Sequence, residues 1–287
     1  MAQILASGVS MGCIYALIGL GFVLIYNATN GLNFAQGELV MLGAFIFYAM
    51  INGGAPYVAG ALLTIVACGV IGYVFQRIFF YPLRDRHFLA FIISAIGFSI
   101  AVRNIALLVW GPNPLRVPSI FPMAIVAFGG VTLPPEQLFI IAVTIVVLLL
   151  QYGLFFHTDL GRRLRATAQN GEIAALMGIR VKRMVAVTFV MSAVLSGVAG
   201  ILLAPIFFID SEMGLSLIVK AFVAVIIGGF GSVPGVVVGG IIVGTIEILT
   251  AAFLSSVYKD AIVFTALIFL LVVFPQGIFG ERTAERV

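Results

Sequence analysis

The chain has 287 residues, of which 62% are hydrophobic and only 9% are charged, and its mean hydropathy is +1.23. Soluble proteins carry roughly 25% charged residues, so this composition excludes a soluble globular protein and predicts one polytopic transmembrane domain over residues 1–287. The formal net charge of +4 comes from a few basic residues clustered in loops, which indicates orientation in a membrane rather than nucleic-acid binding.

Apolar segments of about 20 residues, the length that spans a bilayer, recur along the chain. Eight are predicted as spanning helices: 3–26, 34–51, 57–80, 88–110, 138–156, 184–209, 233–255 and 261–274. A further run, 221–230, is short and ends in GGFGSVPG. It is either a broken or re-entrant element or the end of a full span that begins near Met213. The predicted fold class is therefore an all-α bundle of eight or nine spans.

The stretch 157–183 holds six of the fifteen basic residues and lies between two long uncharged segments. Basic loops remain on the cytoplasmic side of membrane proteins, so we expect this loop inside the cell. The amino terminus and the irregular proline-rich link that starts at 111–122 and continues to Pro135 then lie outside. The carboxyl terminus is inside if the run 221–230 belongs to a full crossing and outside if it folds back.

A short helix is predicted within this basic loop. Asn170 is a good N-cap, Glu172 falls in the first turn, where the helix dipole favours a carboxylate, and Gly178 can end the helix. Two turns are not stable alone in water. Its apolar residues are spaced three and four apart on one face, which calls for a protein partner: Ile173, Leu176 and Met177.

Polar residues inside the predicted spans are the candidates for a transport pathway. Ionisable groups are costly in a bilayer and mark either a pathway or a buried pair; here they are Glu38, Arg103 and Glu247. Amides that could guide a zwitterionic substrate are Asn27, Asn33 and Gln36. The alternative, that each charged residue lies near a helix end and pairs with a neighbour or reaches the membrane surface, stays open.

Several of the 32 glycines repeat at a spacing of four. Small residues four apart share a helix face and let two helices approach closely within a membrane. We assign a helix-packing role to such sets near both ends of the chain: Gly8 and Gly12; Gly231, Gly235 and Gly239; Gly240 and Gly244.

Motifs for catalysis are missing from the sequence. It contains no Gly-x-x-x-x-Gly-Lys-Ser/Thr nucleotide-binding motif, and its two histidines, His87 and His157, lie at segment ends without ligand partners nearby. Cys13 and Cys68 lie inside apolar runs, where buried thiols are expected. We therefore predict a non-enzymatic chain with no catalytic residue, no metal site and no cofactor of its own.

Three stretches resemble one known family. They are GCIYALIGLGFVLIYNATNGLNFAQGELVMLGAF at 12–45, RATAQNGEIAALMGI at 165–179 and AVIIGGFGSVPGVVVGGIIVGTIE at 224–247. In order and spacing they are similar to LivH-type permeases, the membrane subunits of ABC importers for branched-chain amino acids.

The resemblance implies that the short helix in the basic loop is a coupling segment that engages ATPase subunits. The family's Glu-Ala-Ala plus Gly pattern falls on Glu172, Ala174, Ala175 and Gly178, with Ile173 intervening and glycine at 171 where many relatives have proline. The implied segment includes the whole helix and its end: Glu172, Ile173, Ala174, Ala175, Leu176, Met177 and Gly178.

The resemblance also implies partners and a location. The partners are a LivM-like second permease, two cytoplasmic ATPases that bind ATP and Mg²⁺, a periplasmic binding protein and membrane lipid, in a bacterial inner membrane. Leucine, isoleucine and valine are the first-choice substrates; urea, short amides and small carboxylates are alternatives. A stand-alone ion-coupled transporter is the rival class, although the sequence offers no convincing coupling-ion site.

Overall fold

The computed structural model describes residues 1–84, 86, 88–121, 126–128, 131–255, 258–273 and 277–279. Its elements in chain order are α1 (Ala2–Thr29), α2 (Gln36–Asn52), α3 (Tyr57–Phe75), a π-helical turn (Gln76–Phe80), a 3₁₀ turn (Tyr81–Leu83), α4 (Phe88–Trp110), β1 (Val126–Phe128), β2 (Val131–Leu133), α5 (Pro135–His157), α6 (Asp159–Gln169), α7 (Gly171–Leu176), α8 (Val181–Leu203), α9 (Met213–Gly228), α10 (Val233–Phe253) and α11 (Lys259–Val273).

Six helices among these residues are long and apolar enough to cross a membrane: α1, α3 with its extension to Leu83, α4, α5, α8 and α10. Two further apolar helices are shorter, with 17 residues in α2 and 16 in α9. The prediction of a polytopic helical bundle is therefore confirmed.

The ambiguous run after residue 210 belongs to one continuous helix. α9 begins at Met213, where the second alternative starts its span, and ends at Gly228, so 221–230 is mostly the second half of α9. With 16 residues this helix is shorter than the six that are long enough to cross a membrane. The sequence pattern looks interrupted because Lys220 lies in the middle of the helix, where its side chain is nevertheless buried.

A short hairpin lies within the link between α4 and α5, where the sequence predicts only irregular chain. β1 and β2 pair in antiparallel fashion, with Val126 opposite Leu133 and Phe128 opposite Val131. In the sequence, Gly129 and Gly130 separate the two strands, and a Gly-Gly pair between two runs of strand-forming residues is a hairpin signal. The prediction of irregular chain is corrected at this hairpin, and the secondary structure of the described residues is otherwise helical, as the all-α class predicts.

The bundle has two distinguishable ends. The basic end carries α6, α7 and the α9–α10 link, and there the Asn27 side chain donates a hydrogen bond of 3.2 Å to the Gly231 carbonyl. The hairpin end carries the opposite termini of the helices, and there Leu115 and Ile209 form a β-bridge. The segment after α11 returns to the basic end, since the Ile278 N–H donates to the Ile227 carbonyl at 2.9 Å.

α1 is the central helix of the bundle. Every residue from Met11 to Ile25 is buried, which is expected for a helix that is apolar on all sides. It contacts α5, α8, α9 and α10, and its longest contact is with α10.

Glycines bring the backbones of α1 and α10 into direct contact. A Cβ atom placed on Gly12 would lie 2.6 Å from the Ile241 Cα atom, and one on Gly8 would lie 2.8 Å from the Thr245 Cα atom. Gly240 and Gly244 face α1 from the other side of this contact, whereas Gly235 and Gly239 face α9. Gly231 differs, because it lies in the α9–α10 link at φ +88° rather than within a helix.

We expect Gly12→Ala to destabilise the protein, because the added methyl group meets backbone atoms that cannot rotate away; overpacking of this kind costs about 1–3 kcal/mol. Gly153→Ala in α5 is the matched control, since nothing lies within 4 Å of its Cβ position. That control should gain up to about 1 kcal/mol in helix propensity. The measurement is the thermal unfolding midpoint of both variants in detergent, and equal midpoints would contradict the packing assignment.

Candidate functional site

α7 is a six-residue helix fixed at both ends by local hydrogen bonds. The Asn170 side chain accepts a hydrogen bond of 3.0 Å from the Ile173 N–H. At the other end Gly178 adopts φ +82°, its N–H donates to the Ala175 carbonyl, and the Ile179 N–H donates to the Ala174 carbonyl, both at 3.0 Å. This pair of bonds is a Schellman motif. The N-cap and the terminating glycine therefore lie where the sequence predicts them.

The apolar face of α7 points away from the bundle. Ile173 is 58% exposed, Leu176 88% and Met177 80%, while Ala174 is buried and faces the protein. Glu172, Ala175 and Gly178 are also exposed. A helix this short is not stable in isolation, so its two caps and the burial of Ala174 hold it in place. The result is a pre-formed apolar patch of three side chains, which we call the α7 face.

Basic residues surround the α7 face. Arg163, Arg180, Lys182 and Arg183 are exposed on the neighbouring elements. Two of the basic residues here have close partners: Arg162 forms an ion pair with Asp159 in the first turn of α6, and Lys182 Nζ lies 3.9 Å from the centre of the Tyr81 ring. This hydrogen-bonded guanidinium lowers the pKa of the Asp159 carboxyl below its ordinary value. An apolar patch with a cationic border suits a protein surface that is apolar at its centre and acidic at its edge.

Glu38 and Arg103, two of the charged pathway candidates, form an ion pair between α2 and α4. The Arg103 guanidinium lies 3.0 Å from Glu38 Oε1, and the Ser99 hydroxyl donates to the same oxygen at 2.8 Å. Arg103 also lies 3.6 Å from the Glu212 carboxylate, just before α9. Because the Glu38 side chain is buried, removing Arg103 would leave an uncompensated charge, which costs about 3–5 kcal/mol.

Glu247, the third charged candidate, lies in a separate cluster near the hairpin end. Lys220 Nζ is 2.5 Å from Glu247 Oε1, and the Tyr15 hydroxyl donates to Glu247 Oε2. Lys220 Nζ is also 2.9 Å from Asp260 Oδ1, and Lys259 Nζ is 3.5 Å from Glu247 Oε1. These five side chains come from α1, α9, α10 and α11, and we call them the charge cluster.

Sequence reasoning missed Lys220 and Tyr15 as members of this cluster. In the sequence Lys220 directly precedes the apolar run 221–230, whereas in the structure it lies within α9 and is only 5% exposed. Tyr15 was one of many apolar or aromatic residues in the first span. The charge of Lys220 is the signal in the sequence that could have identified the cluster, because a lysine inside a membrane helix needs an acidic partner. That partner is Glu247, 27 residues further along the chain.

The three amide candidates make local or interhelical hydrogen bonds. Gln36 Nε2 donates to the Ser196 hydroxyl at 2.6 Å, and the Ser192 hydroxyl donates to Gln36 Oε1 at 2.8 Å, so this buried amide joins α2 to α8. Asn33 Oδ1 accepts from the Ala35 N–H at 3.2 Å, ahead of α2. Asn27 binds the α9–α10 link. The structure does not bring these amides to the charge cluster.

Two sizeable cavities lie at opposite ends of the bundle. The one at the basic end has a volume of 340 Å³ and is mostly apolar, with Asn27, Gln151 and Arg165 among its polar lining residues. The one at the hairpin end has a volume of 260 Å³ and is lined in part by the charge cluster. Glu38 and Arg103 line neither of these two cavities.

Comparisons with known proteins agree with this architecture. The family described as "Branched-chain amino acid transport system / permease component" matches residues 4–273. Over 251 residues the chain is 34% identical to the high-affinity branched-chain amino acid transport system permease protein LivH of Escherichia coli K12. It is 32% identical over 251 residues to the corresponding permease protein BraD of Pseudomonas aeruginosa. Each alignment covers 83% of this chain and 82% of the relative.

Among solved structures, a chain of PsaBC from Streptococcus pneumoniae in complex with Fab is similar in fold. The TM-score is 0.52 with 14% sequence identity, over 95% of this chain and 90% of that chain. At this identity the similarity concerns the fold alone. The family match spans most of the sequence and agrees with two relatives above 30% identity. The chain therefore belongs to the family of branched-chain amino acid transport system permease components.

Proposed function

We propose that this chain is a translocation subunit of an ATP-driven ABC importer for branched-chain or related hydrophobic amino acids, working by alternating access. The observation that carries the proposal is the α7 face: a capped, exposed apolar patch in the basic loop of a chain that belongs to a permease family. Separate ATPase subunits bind ATP and Mg²⁺ and hydrolyse the nucleotide. This chain is not the enzyme, and it converts their motion into movement of its helices.

Transmission of that motion starts from the way α7 is attached. α7 contacts both α6 and α8, and α8 packs against α1, α2 and α3. α6 is held tightly to α5, because a Cβ atom on Gly161 would come within 2.5 Å of the Phe155 Cα atom. An ATPase that moves the α7 face therefore moves α8, and with it the centre of the bundle, as one packed unit.

The other proposed partners have separate surfaces. α3, α4 and α5 carry many exposed large apolar side chains, among them Leu62, Ile93 and Leu149, and this surface suits membrane lipid and a LivM-like second permease. A periplasmic binding protein would approach the hairpin end, opposite to the α7 face. This arrangement places ATPase and substrate delivery on opposite sides of the membrane.

We further propose nine passes through a bacterial inner membrane, with the basic end in the cytoplasm. α2 and α9 each supply only part of a crossing, since 16 residues of helix extend about 24 Å against a hydrocarbon core of about 30 Å. Their first turns lie side by side within the bundle, because a Cβ atom on Gly37 would overlap the Gly214 backbone. The non-helical segments 30–35 and 204–212 that precede them complete the two crossings. α11 runs from the charge cluster back to the basic end, so we propose that the carboxyl terminus is inside. The tail 280–287 itself lies outside the described residues.

Replacing Leu176 by arginine should abolish ATP-driven uptake, because the new charge lies at the centre of the apolar contact and would be buried unpaired. Glu172→Arg should act in the same direction, since it reverses the charge in the first turn of α7. The measurements are co-purification of the ATPase subunits and uptake into proteoliposomes.

Gln169→Arg is the matched control for this docking test. It adds the same charge at an exposed position of α6, outside the α7 face, and should leave uptake and co-purification near the original level. Unchanged uptake in both Leu176→Arg and Glu172→Arg would contradict the docking role. Transport by this chain alone down an ion gradient, with no ATPase present, would contradict the importer class itself.

The proposed orientation predicts which exposed positions react from each side of the membrane. A membrane-impermeant maleimide should label Asn113→Cys in intact cells and label Ala168→Cys only after the cells are permeabilised. The native cysteines, Cys13 and Cys68, are both buried, so background labelling should be low. Labelling of Ala168→Cys in intact cells would place the basic end outside and reject the proposed topology.

A further inference from the structure

The cavity at the hairpin end combines charged and aliphatic walls. Its charged walls are Lys220, Glu247 and Lys259, with Asp210 and Glu212 at the α8–α9 link. Its remaining lining is largely apolar: Met11, Leu203, Phe207, Phe208, Met213 and Leu217. A ligand that fits both kinds of wall must carry opposite charges close together and an apolar group beside them.

The charge cluster is balanced, because the cations of Lys220 and Lys259 equal in number the carboxylates of Glu247 and Asp260. Lys220 and Glu247 are almost fully buried, whereas the Asp260 side chain is 50% exposed and that of Lys259 35%. Breaking a buried ion pair is costly when one charge is left alone. In this cluster each buried charge has a second partner at the rim, so partners can be exchanged while all four charges remain paired.

A zwitterion is the ligand that can take part in such an exchange. Its carboxylate can replace Glu247 as the partner of Lys220, and its ammonium can replace Lys220 as the partner of Glu247. A simple cation or anion would leave one of the two buried groups with only its more exposed partner at the rim, Asp260 or Lys259, whereas a zwitterion gives each of them a new partner inside the cavity. The apolar walls then select for an aliphatic group on the carbon between the two charges.

We propose that this cavity is a binding site for an aliphatic α-amino acid, with the carboxylate on Lys220, the ammonium on Glu247 and the side chain among Met11, Leu203 and Leu217. The proposal rests on the function proposed above and assigns residues to it. Lys220 and Glu247 contact the ligand directly.

Tyr15 has a positioning role in this site. Its hydroxyl donates to Glu247 Oε2, which leaves Oε1 turned to Lys220 and available to an ammonium group. Because Tyr15, Lys220 and Glu247 belong to α1, α9 and α10, a ligand that bridges the two charges also bridges helices that must move relative to one another. Binding in the pathway is thereby connected to the arrangement of the bundle.

Ligand protection of a cysteine in the cavity tests this site. Ser216 lines the cavity and is exposed, so Ser216→Cys should react with N-ethylmaleimide in the assembled importer, held in nanodiscs without binding protein. L-leucine at ten times its dissociation constant should slow the reaction roughly tenfold, since only the unliganded site reacts. Leucinamide, which lacks the carboxylate, and 4-methylpentanoate, which lacks the amine, should protect far less at the same concentration.

Variants in the same background separate direct binding from an effect at a distance. Lys220→Met and Glu247→Gln should each abolish protection by leucine, and Lys220→Arg should retain it. The control is Arg162→Met, which likewise removes a cation from an ion pair, that with Asp159 at the basic end, and should leave protection in place. Asn113→Cys reports labelling at a remote exposed position and should be unaffected by leucine. The ligand series needs only Ser216→Cys, so the test does not depend on the folding of the other variants.

Three outcomes would overturn the site: no protection by leucine, equal protection by leucinamide and 4-methylpentanoate, or full protection in Lys220→Met. ATP-driven uptake of leucine, measured separately with binding protein added, distinguishes these from failure of the proposed function. Uptake without protection rejects the site alone. Protection without ATP-driven uptake rejects the importer and keeps the site.

Discussion

Direct backbone contact between α1 and α10 is the constraint on which the rest of this structure depends. The glycines at 8, 12, 240 and 244 leave no side chains between the two helices, so they approach more closely than ordinary helix packing allows. This contact buries α1 on all sides and brings Tyr15 within hydrogen-bonding distance of Glu247. With side chains in the contact, that bond could not form.

Ion pairs connect α9 to its neighbours at two points, one at an exposed carboxylate before its first residue and one in its buried middle. Glu212, just before its first residue, lies near Arg103 of α4, and Lys220 in its middle is paired with α10 and α11. Between these points Gly214 packs directly against Glu38 of α2. A helix of 16 residues has limited apolar surface with which to fix its own depth in a membrane. The ion pairs on either side set its position instead, which explains why charges are tolerated in a chain with so few of them.

The sequence is sufficient to predict features that depend on neighbouring residues. The caps of α7 follow from Asn170 and Gly178, and its exposed face follows from the helical spacing of Ile173, Leu176 and Met177. The long helices follow from continuous apolar runs. Contacts between distant parts of the chain could not be predicted from the sequence. Gln36 forms hydrogen bonds with serines 156 and 160 residues away, and Tyr15 forms one with a carboxylate 232 residues away. Hydrophobic pattern gives no information on which helices are neighbours.

The two proposed sites lie at opposite ends of the bundle, so in the proposed importer a movement of the α7 face would reach the charge cluster through packed helices. α7 contacts α8, α8 contacts α1, and α1 contacts α10 along the glycine face. Two helices that touch through glycines can slide along each other, because no interdigitated side chains have to separate first. An ion pair between two helices forms only at the helix positions that bring its two charges together. A small displacement of α1 against α10 would therefore move Tyr15 relative to Glu247 and alter the position of the carboxylate that faces the ligand. The glycine contact allows α1 to move against α10, and the charge cluster favours certain positions of that movement. Together they form the kind of two-state element that the proposed alternating access requires.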